Sequence, residues 1–415
     1  MTVPLDKNFE LQTSKTFCML SWIHAHADTR GNAKPCCIAK DAANYGSLRE
    51  SSLPDLLNAS AFRELRQRML AGIPSPDCAT CYSAEALGER SLRQERNEQF
   101  ASDFDVVERI EAGNPISPGD LRYLDLRFSS LCNLRCRTCS SEASSGWNQD
   151  MTLLYGERFF AETFRPTGTS EEFIDQLAPM LPGVRRIYFA GGEPLLDDDH
   201  YSFLERLIVE RRTDIQLVYN TNFSRLRTAR HSATRIWAHF PSVQVFASLD
   251  DVGDRAEYTR KGTNWRQIAT NHSTLRREAP HVEFMVQTTV SVFNIFYLTR
   301  AIRRFIEDGL LEHGRNFFVN LVNSPEIFSI QILNASERER IAADFATFQD
   351  LYLSRSPVSE SSLISVQLER VSRFLLGESH EQNRKSFIHA SQIIDRIRGE
   401  SLIATLPELW SLFAT

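Results

Sequence analysis

Eight cysteines crowd the first third of this chain, and none follows: Cys18, Cys36, Cys37, Cys78, Cys81, Cys132, Cys136 and Cys139. Such density in a chain without a secretory signal, where disulfides are rare, points to metal binding or redox chemistry. Three of them form the compact run Cys132-Asn-Leu-Arg-Cys136-Arg-Thr-Cys139, spacing C-x3-C-x2-C. Three close thiolates can hold three irons of a 4Fe-4S cluster and leave the fourth iron open to an external ligand. A structural zinc ion is the alternative, but zinc closes its tetrahedron with a fourth Cys or His. None follows Cys139 before His200.

The elements that must position these thiols follow from periodicity. From residue 121 onward strand-like and helix-like segments alternate, the pattern of an α/β fold with a parallel sheet. Six strands are expected: Leu121–Phe128, Val184–Ala190, Ile215–Thr221, Val243–Leu249, Val282–Val290 and Phe317–Val322. The segments Tyr201–Arg212, Arg225–His239, Trp265–Glu278 and Ile295–Leu310 are long enough for helical crossovers. Six βα units predict an open partial barrel with its site at the C-terminal strand ends. Polar groups stand at those ends. Ala190-Gly191-Gly192-Glu193-Pro194 closes the second strand, Asn220-Thr221-Asn222 the third and Ser248-Leu249-Asp250-Asp251 the fourth, with Arg260-Lys261-Gly262 beyond. Two glycines expose backbone polar groups to a ligand, and Glu193 can accept from an ammonium. Each alone reads equally as a turn or cap; together they suit a small-molecule site.

The combination closely resembles the radical S-adenosylmethionine (SAM) enzymes over about residues 121–322. By that resemblance Cys132, Cys136 and Cys139 hold a catalytic 4Fe-4S cluster whose open iron is chelated by the amino and carboxylate groups of SAM. Gly191, Gly192 and Glu193 would bind the SAM amino group, and Asn220, Ser248 and Arg260 its ribose and carboxylate. Pro194 and Asp250 complete the expected cofactor-binding set. The family's reaction is reductive cleavage of SAM to methionine and a 5′-deoxyadenosyl radical that abstracts hydrogen from substrate. Two residues depart from the pattern. Thr138 stands where an aromatic residue usually precedes the third cysteine, and Asp251 where glycine usually follows Asp250.

The remaining cysteines are spaced around Gly31-Asn-Ala-Lys-Pro-Cys36, Tyr45-Gly46-Ser47-Leu48, an expected helix Leu53–Leu70 and Cys78-Ala-Thr-Cys81. This looks like the twitch half of a SPASM auxiliary-cluster module, which usually follows the barrel and here precedes it. The resemblance implies that Cys18, Cys36, Cys78 and Cys81 ligate a second, auxiliary 4Fe-4S cluster for electron transfer, with Cys37 as spare or substitute. A zinc knot suits a C-x2-C pair with two distant cysteines equally well. Alternation places Trp22, His24 and His26 on one strand face, as packed residues more than as ligands. Arg90, Arg93 and Arg96, like Arg300, Arg303 and Arg304, read as solvated helix faces. Phe317, Phe318, Phe293 and Phe296 read as packing.

Composition bounds the rest. The 415 residues are 42% hydrophobic and 24% charged, with Gly 18 and Pro 16, which excludes disorder, collagen and coiled coil as the main architecture. Two or three domains are expected: a twitch-like domain at 1–120, a (βα)6 partial TIM barrel at 121–333 and a helical region at 334–415. No apolar run of about 20 residues spans a bilayer, so a cytoplasmic location without membrane partner is expected. Net charge −6 provides no global positive field for nucleic acid. The resemblance implies a flavodoxin or ferredoxin electron donor and a peptide or protein substrate, although sugar- or nucleoside-like small molecules also occur there. No leader-binding domain is read ahead of Cys18. A non-catalytic zinc protein that binds a partner is the rival class. No general acid or base is assigned.

Overall fold

The structure, a computed structural model, describes residues 6–40, 42–156, 163–312, 314–355 and 363–413. Among them the strands are β1 (His24–Ala27), β2 (Ala33–Lys34), β3 (Tyr123–Leu126), β4 (Arg135–Cys136), β5 (Arg186–Phe189), β6 (Gln216–Thr221), β7 (Val243–Ser248), β8 (Arg260–Lys261), β9 (Glu283–Val290) and β10 (Phe317–Leu321). The α/β class is as expected, a partial barrel of mostly parallel strands joined by helices. All six expected strands are present, shortened at their ends.

The chain divides into two compact units. The first comprises Met1–Ser130, Thr163–Tyr219 and His239–Ser242; the second Leu131–Glu162, Asn220–Ala238 and Val243–Thr415. In the first unit β1 pairs parallel with β3, β3 with β5 and β5 with β6, and β2 pairs antiparallel with β1. Strand residues one apart point to opposite faces, so Ile187 and Phe189 of β5 are buried while Arg186 and Tyr188 are half-buried. Phe189 meets Phe203, buried on the helix Asp198–Val209, and also stacks on Tyr219 of β6 with ring centres 4.9 Å apart. In the second unit β7, β9 and β10 form a parallel ladder, and β4 pairs antiparallel with β8. Phe284, Val286, Thr288 and Val290 bury one face of β9, leaving Met285, Gln287 and Thr289 on the half-open face. Ser248 of β7 lies opposite Gln287 and shares that face.

Several expectations need correction. Leu53–Leu70 is two helices, Leu53–Leu57 and Ser60–Leu70. Asn58 ends the first because its amide donates to the carbonyls of Pro54 and Ile116, and its side-chain oxygen accepts from the Ile116 N–H. Trp22 lies on a short helix, Leu20–Ile23, so only His24 and His26 share a strand face, their rings stacked 6.4 Å apart. Of Arg225–His239 only Ala233–Trp237 is helical. Arg93 is buried, donating to Glu85 and to the carbonyls of Ser14 and Phe17, rather than solvated. Arg303 and Arg304 are exposed as expected. The C-terminal helices are Ala335–Leu351, Leu363–Leu375 and Arg384–Arg398. Among the described residues no helix is long and apolar enough to cross a membrane.

One buried histidine makes stability depend on pH. His272, on the helix Trp265–Glu278, is 8% exposed with its ring 4.7 Å from Phe284. Burial, helped by Arg276, lowers its pKa to about 4. A histidine depressed below its unfolded value of about 6.5 contributes stability that is complete above that value and lost as pH falls through it toward 4. The loss is roughly 3 kcal/mol at about 1.4 kcal/mol per unit. In metal-free protein, denaturant titrations from pH 7 to 4 should show a steeper fall for the parent than for His272→Phe. Parallel profiles would refute the assignment.

Candidate functional site

In the second unit the loop Leu131–Ser140 carries the compact cysteine triplet and is pinned by polar side chains of the segment that follows it, Ser144–Trp147. The Cys132 N–H donates to Ser145 Oγ at 3.1 Å, Ser144 Oγ donates to the Leu134 carbonyl at 2.6 Å, and the Trp147 indole N–H donates to the Cys136 carbonyl at 3.1 Å. The β4–β8 pairing sets Cys136 directly opposite Arg260, and the Arg137 N–H continues the ladder to the Thr259 carbonyl at 2.9 Å.

Two sulfurs receive N–H groups from elsewhere in the fold. Arg260 Nη1 lies 3.8 Å from Cys136 Sγ, and Asn222 Nδ2 lies 3.8 Å from Cys132 Sγ. Arg260 is itself held by Asp250, which accepts from Nε at 2.7 Å and from Nη2 at 2.9 Å, while the Thr289 N–H donates to the same carboxylate at 2.8 Å. Burial works against the guanidinium charge, but Asp250 and then Cys136 outweigh it and raise the Arg260 pKa. Burial pushes the Cys136 thiol up to about 12; Arg260 opposes this, and Cys139 and Cys132 add to it. Cys139 is also raised by burial. Cys136 and Cys139 are disfavoured as free anions, and Cys132 and Cys136 are supplied with N–H donors, the chemistry expected of ligands to a cationic metal centre, although among the described residues no group of three or more Cys, His, Asp or Glu side chains is arranged to hold a metal ion. Coordination deprotonates a thiol, and N–H···S contacts then tune the cluster.

Asn222 also donates to Asn133 Oδ1 at 3.0 Å, and Asn133 donates to Ser224 Oγ at 3.0 Å. Asn133 and Ser224 line a polar groove of about 590 Å³ that is also bordered by Arg225, Arg227 and Arg277. Of the expected cofactor residues, Arg260 meets the triplet and Asp250 reaches it only through Arg260, Ser248 lies on the half-open face of β7, and Asn220 is half-buried near the end of β6. Asn222 belongs to the polar run read at the end of the third strand, but no sulfur contact was assigned to it, and Asn133 and Thr289 were not singled out. An Asn one residue past a strand end does not show which sulfur it meets until the fold turns it there.

In the first unit the Gly191–Pro194 turn packs against the segment after β3. Gly191 has φ +118°, and a Cβ there would lie 3.0 Å from the Ser129 carbonyl, which also accepts from the Gly192 N–H. Only glycine fits both demands. Glu193 is buried and accepts from the Leu195 N–H at 3.0 Å, closing the short turn Pro194–Leu196. Asp197, which caps the next helix, accepts from Ser129 Oγ.

The same unit gathers Cys18, Cys36, Cys78 and Cys81. Cys18 senses Cys81 and Cys78, and Cys36 senses Cys37 first and then Cys18 and Cys81, so these thiols lie near one another. Burial pushes Cys18 to about 12, Cys78 to about 11, and Cys36 and Cys81 upward as well. The buried Arg93 cation favours the ionised form of Cys18, Cys78 and Cys81. Asp77 fastens the intervening loop, accepting from the N–H groups of Ala42 and Ala43 and from the Tyr45 hydroxyl at 2.9 Å. Cys37 is an exposed residue beside Cys36 whose thiol hydrogen-bonds to Asp125; burial at the sulfur and then the Asp125 charge raise its pKa. Burial opposes the Asp125 charge, but Arg127 and His26 hold that carboxyl below its ordinary range.

Comparisons with known proteins agree with these two cysteine loci. Residues 126–291 match the model of the radical SAM superfamily, and residues 18–82 match that of an iron–sulfur cluster-binding domain. Curated relatives include the GTP 3′,8-cyclase of Campylobacter lari, 32% identical over 25% of this chain and 28% of its own length. That of a Sulfurovum species is 33% identical over 24% and 26%. The chain thus spans less than a third of these relatives' length. Similar solved structures include native anSMEcpe with bound AdoMet, 15% identical, TM-score 0.40, over 55% of this chain and 60% of that one. Streptococcus suis SuiB bound to precursor peptide SuiA is 14% identical, TM-score 0.37, over 65% and 58%.

Proposed function

From the premise that this chain carries a radical SAM domain behind an iron–sulfur cluster-binding domain, we propose that it is a radical SAM oxidoreductase acting on a peptide or protein in the cytoplasm. The observation that carries the reading is the convergence of Arg260 and Asn222 on two sulfurs of the Cys132, Cys136 and Cys139 loop. When bound, the cluster supplies the electron that splits SAM into methionine and a 5′-deoxyadenosyl radical, which takes a hydrogen atom from the substrate.

The chain's own residues do the rest. Cys132, Cys136 and Cys139 would hold a catalytic 4Fe-4S cluster. Gly191, Gly192, Glu193 and Pro194 present backbone groups to the SAM amino end, and Asn220, Ser248, Asp250 and Arg260 flank its ribose and carboxylate. Cys18, Cys36, Cys78 and Cys81 hold the auxiliary 4Fe-4S cluster, and Arg93 offsets part of its negative charge. A centre with four thiolate ligands suits electron transfer, so net oxidation, such as dehydrogenation or a C–C or C–S crosslink, is the proposed outcome. A flavodoxin or ferredoxin would serve as the electron donor.

A second reading, a nucleotide-like substrate, is favoured by the curated relatives' activity as GTP 3′,8-cyclases. The test is anaerobic reconstitution followed by incubation with dithionite and SAM. Formation of 5′-deoxyadenosine is expected; a colourless protein that carries zinc and yields none overturns the proposal. Mass spectrometry of incubations with candidate peptides and with nucleoside triphosphates then separates the two substrate classes.

A further inference from the structure

The second unit contains a buried charged network that the proposed chemistry does not use. Arg137 sits between Cys136 and Cys139, and its side chain is 0% exposed. Its guanidinium lies 3.7 Å from the Tyr258 ring centre, donates through Nε to the Tyr258 carbonyl at 3.1 Å, and donates through Nη2 to Asp395 and Glu400 at 2.6 Å each. Glu400 also pairs with Lys261 of β8 at 2.6 Å, so one carboxylate holds both β8 and the residue that follows β4. The Tyr258 hydroxyl donates to Asp395 at 2.8 Å. A parallel set lies alongside. Arg398 donates to Asp150 at 2.7 Å and to the Arg135 carbonyl at 2.8 Å, and Arg135 donates to Asp150 at 2.7 Å.

The C-terminal side of this network is one short stretch. Helix Arg384–Arg398 ends at Gly399, whose φ of +65° reverses the chain and turns Glu400 back, while Asp395 accepts from the Leu402 N–H at 2.6 Å. Apolar packing would fasten a C-terminal helix with less desolvation, because buried charges need directional partners to be tolerated. A buried ionic network instead fixes register, and here the register is that of Cys136 against Arg260.

We infer that Asp395–Leu402 is a clamp that sets the position of the cysteine-bearing β4–β8 pair, with Arg137, Asp395 and Glu400 as positioning residues for the cofactor site. The inference rests on the radical SAM reading for what that pair holds, but the clamp itself is a property of the chain. Groups just behind metal ligands change metal affinity or activity about 10- to 100-fold when altered.

The test uses full-length protein with Glu400→Gln, Asp395→Asn and the conservative Glu400→Asp. In metal-free protein, hydrogen–deuterium exchange of residues 131–139 should accelerate in the first two variants and return toward the parent rate in the third. In reconstituted protein, iron loss to a chelator from the SAM-responsive cluster should be about 10- to 100-fold faster in the first two. That cluster's electron paramagnetic resonance signal should also change, with the auxiliary signal unaltered. Parent-like exchange, iron loss and spectra overturn the clamp, as does a lower melting temperature with all three unchanged. A parent chain that binds no SAM-responsive cluster sinks the functional reading instead, and the exchange measurement still decides the clamp.

Discussion

Replacing any one of Cys132, Cys136 and Cys139 with Ser should lower the iron content of reconstituted protein from about eight to about four per chain, two four-iron clusters becoming one. It should also reduce 5′-deoxyadenosine formation to background. The physical reason lies in the thiols themselves. Burial disfavours Cys136 and Cys139 as free anions, so their charge is tolerated only when a metal centre shares it. A serine hydroxyl in the same place holds its proton far more tightly and offers a harder ligand. The opposite pattern is expected in the first unit. Changing Cys78 and Cys81 to Ala should remove about four irons, leave 5′-deoxyadenosine formation intact and abolish product, as loss of an electron-transfer centre requires. Cys37→Ala supplies the internal control, because its thiol hydrogen-bonds to Asp125. It should retain about eight irons. Loss of four irons in Cys37→Ala would place it among the ligands, and retention of eight in Cys136→Ser would dismiss the catalytic assignment.

What could be read before the fold was known depended on how local each signal is. β9 was legible because Phe284, Val286, Thr288 and Val290 alternate with more open residues, a pattern that its own burial imposes. β4 and β8, two residues each, are too short for any period, yet their pairing places Cys136 against Arg260. The Leu53–Leu70 helix read as continuous because its apolar spacing hardly falters at Asn58. The break comes from the bonds that Asn58 makes with Ile116, fifty-eight residues away. Arg93 has helical spacing from Arg90 and Arg96, which predicts a solvated face, but the carbonyls of Ser14 and Phe17 draw it inward. The site shows the same divide. Cysteine spacing and strand-end polar residues are written in short runs, so the cofactor class was legible. Arg260 and Asn222 stand in such runs, but which sulfur each reaches, and the carboxylates behind Arg137, depend on distant pairings that no local pattern marks.

Arg260 and Asp250 give the other large effect, and a cycle of variants separates their two roles. The side chains are 13% and 1% exposed, and the pair is doubly hydrogen-bonded. Arg260→Met therefore leaves a carboxylate buried beside the Thr289 N–H and without its main cation. Breaking one side of such a pair costs about 3–5 kcal/mol. Asp250→Asn should cost a similar amount, because it leaves the guanidinium partly uncompensated. The double variant Arg260→Met/Asp250→Asn removes both charges and should be more stable than the sum of the singles by more than about 1 kcal/mol, since contacting residues are not additive. Denaturant unfolding of metal-free protein reads this term. The chemical role behaves differently. With Arg260 absent, Cys136 loses its nearest N–H donor and the SAM carboxylate loses the cation proposed for it. Both variants that lack Arg260 should then form 5′-deoxyadenosine about a hundredfold more slowly, at the upper end of effects from groups just behind a metal ligand. Recovery of stability in the double variant without recovery of rate assigns the cation to the cofactor site. If the rate recovers together with stability, Arg260 serves the fold alone.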